Sequence, residues 1–186
     1  YTLLWSDGQK QVVSMRTAAR ILPLEGSWEV HFDPKWGGPE MIVADELKSW
    51  TEFKEPGVKY YSGTAGYKKS FMLKKKEIKG KQVMLNLGNL HEMAAVTLNG
   101  HRFNLCWTPP FELDVTAYLA DGENRLEIEI TNLWPNRLIG DGKLPEDQRL
   151  TKTNINKFET AEAESLLRVS GLLGPVRLML FEEIKL

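Results

Sequence analysis

The chain has 186 residues, enough for one sizeable domain with a proper core and little more. Its 24 Lys and Arg nearly balance 25 Asp and Glu, and a net charge of -1 offers no field for gathering nucleic acid. The single cysteine, Cys106, makes neither an internal disulfide nor a zinc cluster, and no apolar run reaches the length of about 18 residues that a membrane helix needs.

Residues 1–22 read as the end of a preceding β segment or as an edge hairpin. Thr2-Leu-Leu-Trp leads into the turn Ser6-Asp-Gly-Gln-Lys, and residues 11–15 return. The chain opens on Tyr1 and not on Met, inside what reads as a strand, so it is taken as a fragment whose missing leader says little about its parent. Pro23 marks the boundary of the main domain, 23–186. That domain opens with Gly26-Ser-Trp-Glu-Val-His-Phe, where Trp28, Val30 and Phe32 face one way and Glu29 and His31 the other. From 33 to 63 alternation fades, and Pro34, Gly37, Gly38, Pro39, Pro56 and Gly57 punctuate a long connection with one helical turn near 45–50. A loop this long in a compact domain is usually functional or packed by its own side chains.

Strands resume at 65–73, with Tyr67, Phe71 and Leu73 on one face, and Lys74-Lys75-Lys76 reads as their polar end entering a turn. Strand 82–87 turns Val83, Leu85 and Leu87 inward, and strand 93–98 turns Ala94, Val96 and Leu98 inward. Asn99-Gly100 is a two-residue hairpin signal, because both positions tolerate positive φ. Further strands are expected at 102–106, 111–113 and 124–131. In the last, Leu126, Ile128 and Ile130 are expected in the core, with Glu127 and Glu129 in water. A second irregular stretch covers 132–173, and the final strand, 175–181, presents Val176, Leu178 and Leu180 together. About eight or nine alternating strands with two long excursions predict an all-β chain, a two-sheet jelly-roll β-sandwich. Gly63-Thr-Ala-Gly66 is read as a close approach of two sheets or backbones. Asp114-Val-Thr116 and Asp121-Gly-Glu-Asn124 are read as turn chemistry.

Five stretches in order carry a family resemblance: Gly26-Ser-Trp-Glu-Val; the run from Tyr60 through Gly63-Thr-Ala-Gly66 to Phe71; the run from Leu85 through Gly88-Asn-Leu-His-Glu92 to Asn99-Gly100; Thr108-Pro-Pro-Phe-Glu-Leu-Asp-Val-Thr; and Gly122-Glu-Asn-Arg-Leu running into Thr131-Asn-Leu-Trp-Pro-Asn-Arg-Leu-Ile-Gly-Asp. Across about residues 24–182 the chain resembles the galactose-binding-like jelly-roll, or sugar-binding, domain of family 2-type glycoside hydrolases. It also looks similar to the C-terminal modules of α-L-rhamnosidase-like bacterial glycosidases. The resemblance implies a galactose-binding domain-like fold. It places the loop holding Asn89, His91 and Glu92, and the loop holding Asn136, Arg137 and Asp141, at the sandwich end that faces a catalytic barrel. There they can lend polar groups to a sugar site. The same side chains also suit ordinary loop work, with Asn caps and an Arg137–Asp141 pair.

Sugars have polar edges and one apolar face, so they are held by planar side chains under the ring and fixed polar groups around it. Trp36, Trp50, Trp107 and Trp134 lie in or beside loops and are candidate platforms. Each also suits a plug that anchors a loop to the sandwich. Trp5 and Trp28 sit in strand patterns and read as core. Glycoside hydrolysis needs two carboxylates at set separations across a cleft. Glu92, Asp141, Glu146 and Asp147 are available, but no spacing selects a pair. The barrel that carries such residues in the resembling families needs about 250 residues and alternating helices. No catalytic residue is therefore assigned. His31, His91 and His101 lack metal-ligand spacing. A calcium ion, often present in galactose-binding-like sandwiches, would need oxygens such as those of Asp33, Asp45 or Glu183, but no calcium-loop signature exists. No metal or cofactor is expected.

The reading is a non-catalytic accessory module of a glycoside hydrolase, with carbohydrate and the catalytic domain of the same parent as partners and neither nucleic acid nor membrane. The bacterial parent is expected in the periplasm or outside the cell. Two alternatives stay open: an autonomous carbohydrate-binding module, and a purely structural or protein-interaction sandwich.

Overall fold

The computed structural model describes residues 2–12, 18–155, 158 and 160–182. A hairpin of β1 (Thr2–Leu4) and β2 (Lys10–Val12) stands as a separate two-stranded sheet. Of the expected return strand, residues 13–15 lie outside the described residues, as does Glu183.

The sandwich begins with β3 (Arg20–Pro23) and β4 (Trp28–His31), followed by β5 (Met41–Ala44) and the ten-residue β6 (Thr64–Leu73). Then come β7 (Lys81–Asn86), β8 (Asn89–His91), β9 (Met93–Leu98), β10 (His101–Arg102), β11 (Glu112–Asp114) and β12 (Gly122–Thr131). The chain closes with β13 (Gly171–Gly174) and β14 (Arg177–Glu182). One sheet has six strands in the order β10-β9-β12-β6-β4-β5; the other has four in the order β11-β7-β14-β3; β13 and β8 form a short pair. All these pairings are antiparallel.

Side-chain alternation decides which face each strand buries. Central strand β12 pairs along its full length with β6 and along six residues with β9. Its Leu126, Ile128 and Ile130 join Trp28, Val30, Tyr67, Val96 and Leu98 in one core with Val83, Leu85, Leu178 and Leu180 of the opposite sheet. Glu127 and Glu129 point the other way but are only half exposed, at 46% and 36%, because they lie beside Lys68 and Arg102 at 4.0 and 2.7 Å. The Asn99-Gly100 turn has φ of 51° and 84°, as a tight hairpin between β9 and β10 requires. Asp114 accepts from Thr116, and buried Asn124 exchanges bonds with Ala120 and accepts from Asn99 Nδ2, so these residues are turn chemistry.

Several local readings change. The strands β5, β8 and β13, three or four residues each, run through stretches read as irregular, being too short for alternation to show. The strand expected at 102–106 shortens to β10 plus a bridge from Cys106 to Ala94. The turn expected near 45–50 is a 3₁₀ turn at Trp50–Glu52, capped by Ser49. It is joined by another at Pro34–Trp36 and by the single-turn helix α1 (Pro56–Lys59). The lysine run leads into the single-turn helix α2 (Lys75–Ile78). Gly66 meets no close backbone; a Cβ there would sit at ordinary distance, 3.5 Å, from Glu127. Arg20–Leu22, which precede the expected boundary at Pro23, pair with β14 of the second sheet.

Candidate functional site at the loop end of the sandwich

The long connections converge where β12 ends and β9 begins. Their backbones carry donors and acceptors that no ladder satisfies, so a few buried side chains take up the work. Asn132, one residue past β12, donates to the Tyr61 carbonyl and the Ser170 hydroxyl and accepts from Gly63 N–H, at 2.9, 3.0 and 2.9 Å. Asn136 donates to the Arg168 carbonyl and Ser170 Oγ and accepts from Arg168 N–H, at 2.8, 2.9 and 2.8 Å. Ser170 N–H donates to Ser49 Oγ, and Trp50 N–H donates to the Ser170 carbonyl. One serine thus ties three segments together, 49–50, 132–136 and its own.

This knot places both candidate loops at one end. Asn89–His91 pair with β13, His91 opposite Gly171, next to Ser170. Glu92 N–H donates to the Thr131 carbonyl at 2.9 Å. Asn136 lies in the first turn of α3 (Pro135–Asp141), which carries Arg137 and Asp141 on successive turns. Arg137 Nε lies 3.0 Å from Asp141 Oδ1. Asp141 also accepts from Leu150 N–H, Thr151 N–H and Thr151 Oγ1, at 3.3, 2.8 and 2.5 Å, and so pins the strap that follows α3. Cys106 bridges Ala94 near the start of β9, so Trp107 emerges at this end as well.

Access divides the candidates. Asn136, Arg137 and Asp141 are buried and bonded within the chain, and they serve as framework. Trp50 is also buried: its Nε1–H donates to Tyr67 Oη at 2.6 Å, and its ring meets Phe32 and Tyr61 edge-on. It is the plug, and it offers no face to a ring. Gly171 must be glycine here: at φ 97° a Cβ would lie 2.5 Å from Trp50 Nε1. Burial pushes the Tyr67 phenol up to about 12, so it stays neutral.

The open candidates are Asn89, His91, Glu92, Trp36, Trp107 and Trp134. His91 Nδ1 lies 3.8 Å from Glu92 Oε1, and both side chains are 42% exposed. Trp36 and Trp134 pack edge-to-face with centroids 5.4 Å apart. Trp134 is 55% exposed and Trp107 70%. Leu133 and Leu150 are exposed beside the tryptophan pair, Leu150 reaching Gly37, which follows Trp36. Asn132, Ser170 and Ser49 escape a reading of the sequence, since isolated Asn and Ser in loops carry no signal until distant segments meet. Trp5 is exposed and stands outside the core. Among the described residues no group of three or more His, Cys, Asp or Glu is placed to hold a metal. Asp33 caps its 3₁₀ turn and Asp45 accepts from Ser27 Oγ.

A jelly-roll sandwich with polar and aromatic side chains gathered on its loop end is the architecture of a sugar-recognition module. Residues 10–179 match the family described as "Glycosyl hydrolases family 2, sugar binding domain", and the chain belongs to that family. It is 36% identical over 198 aligned positions to a Formosa agariphila protein provisionally named beta-glucuronidase, covering 95% of this chain and 17% of that one. The rhamnosidase structure from Novosphingobium sp. PP1Y superposes with a TM-score of 0.78 at 36% identity, over 94% of this chain and 16% of that one. A beta-glucuronidase from uncultured Clostridium sp. shares the fold, at a TM-score of 0.62 and 21% identity over 93% of this chain and 31% of its own. The chain therefore spans under a fifth of the length of the two relatives that match it at 36%.

Proposed function

We propose that this chain is a non-catalytic accessory module of a family 2-type glycoside hydrolase and docks by its loop end on the catalytic domain of its parent. The observation that carries this reading is Trp134, half open to water and seated edge-to-face on the partly buried Trp36, with the exposed Leu133 and Leu150 nearby. Contiguous apolar surface of this kind marks an interface. Beside it, Asn89, His91 and Glu92 are free to reach a sugar held largely by the other domain. The parent acts on glycans in the periplasm or outside the cell. The exposed Trp107 favours a second reading, an autonomous carbohydrate binder.

Calorimetry separates the two. A docking module alone makes only part of the contacts, so mono- and oligosaccharides should bind weakly, with Trp36→Ala, Trp107→Ala and Trp134→Ala leaving that binding unchanged. Trp134→Asp should weaken association with the separately produced remainder of the parent by about tenfold or more. Tight sugar binding lost in Trp107→Ala would replace docking with the second reading.

A further inference from the structure

An open cavity of about 690 Å³ lies away from the loop end, on the outer face of the six-stranded sheet. Its volume falls in the range of about 300–1,000 Å³ that ligand sites occupy. It crosses β5, β4, β6, β12 and β9, and at the usual spacing these five strands span about 19 Å.

Register sets the floor. Glu29 of β4 stands opposite Lys68 of β6, Lys68 opposite Glu127 of β12, and Glu127 opposite Thr97 of β9. One step along, Ser70 stands opposite Arg125. Acceptors and donors therefore alternate across the groove on rigid strands. Their mutual ties are loose: Lys68 Nζ is 4.0 Å from Glu127, and Arg125, 80% exposed, is 3.6 Å from Glu123. Ser70 and Thr97 line the same space with their hydroxyl side chains, and Val43 is an apolar side chain that reaches it from this face. Trp28 and Leu126 contribute backbone, since their side chains are buried in the core.

That chemistry selects among ligands. Glu29 and Glu127 interrupt the cations Lys68, Lys69 and Arg125 and so deny a phosphate backbone the unbroken positive track it needs, and no aromatic side chain among the lining residues is open to stack on a base. A protein partner would want apolar anchors, which the floor lacks. A neutral polyhydroxylated chain meets paired donors and acceptors at every step. We propose that this groove is a glycan-binding site that takes a stretch of uncharged oligosaccharide across the strands, separate from the loop end. Without a stacking platform its affinity is low, in the range of about 1 mM, which suits holding a polymer near an enzyme by repeated weak contact.

The test is a titration of the isotope-labelled 186-residue chain with cellohexaose, xylohexaose, mannohexaose and laminarihexaose, read by amide chemical shifts. At least one should shift amides in 27–29, 68–70, 97–100 and 125–127. Lys68→Ala should weaken that binding about tenfold, and Ser70→Trp, which fills the groove from an exposed position, should abolish it. Both sites face solvent, so the spectra should keep their dispersion. Trp134→Ala should leave groove binding intact, which keeps this site independent of the docking surface. Shifts mapping to His91 and Trp134, binding indifferent to both groove variants, or no shift with any of the four sugars at about 10 mM would overturn it.

Discussion

Tyr67 shows how one side chain can hold two layers together. Its phenol oxygen accepts from Trp50 Nε1 at 2.6 Å and from Leu172 N–H at 3.1 Å, inside the core. Tyr67→Phe keeps the ring and removes the acceptor, leaving an indole N–H and a backbone N–H buried without partners. The expected loss is about 2–4 kcal/mol, since each buried orphan costs about 1–3 kcal/mol. Urea unfolding followed by tryptophan fluorescence measures it, and a change under about 0.5 kcal/mol would show that water or a relaxed partner replaces the phenol. The core position of Tyr67 is legible from its strand. Its partners are not: Trp50 lies 17 residues away and Leu172 lies 105 away in the chain.

The segment Ala161–Leu166, a 3₁₀ helix, is held to α1 and the end of α3 by a charge clamp. Glu164 accepts from Lys143 Nζ at 2.7 Å, from Lys59 Nζ, and from Tyr60 Oη at 3.1 Å. These bonds, with that from Lys143 the largest, bring the Glu164 carboxyl from its ordinary 4.5 to about 2. The folded value lies below the unfolded one, so ionised Glu164 stabilises the clamp in full above about pH 4.5 and loses that effect as pH falls toward 2. The side chain is 39% exposed, so solvent screens the gain and the effect is local. Protection of the 161–168 amides against exchange, taken relative to the intrinsic rate at each pH, should fall across that window, and in Glu164→Gln it should be low throughout and flat with pH. An unchanged profile in Glu164→Gln would remove the clamp from the account. Beneath it Tyr60, Ile139, Phe158 and Ala163 form a small second core, invisible to periodicity because its members come from the two stretches without alternation, 33–63 and 132–173.

Over the whole molecule, the two sheets close on one core only if both chain ends of the sandwich are in place. Strand β3 covers one edge of β14, and Leu22 and Leu24 pack on the core. A variant starting at Ala18 should keep the stability of the full chain. One starting at Glu25 should lose about 2–4 kcal/mol, because it removes an edge strand and bares the apolar side chains beneath it. Thermal unfolding by circular dichroism, with a β-dominated spectrum in both, compares them. Equal stabilities would restore Pro23 as the domain boundary.

The pattern of alternation along 26–32, 82–87, 93–98 and 124–131 was enough to determine the all-β class and the inward faces, because the pleat has a period of two and one face of each sheet is dry. The ordered motifs were enough to determine the family, which the match over residues 10–179 establishes. Only the tertiary structure decided which loop residues are open. Trp50, Asn136 and Asp141 have the same chemistry as Trp134, Asn89 and Glu92, yet the first three are buried and the others reach solvent. Accessibility depends on which distant segments meet: Ser170 joins Ser49, Asn132 and Asn136 from three parts of the chain, and Gly171 leaves room for Trp50. The groove on the outer sheet has the same origin. Glu29, Lys68, Thr97 and Glu127 sit on four strands that sequence order does not place side by side, and strand register alone sets them in a row.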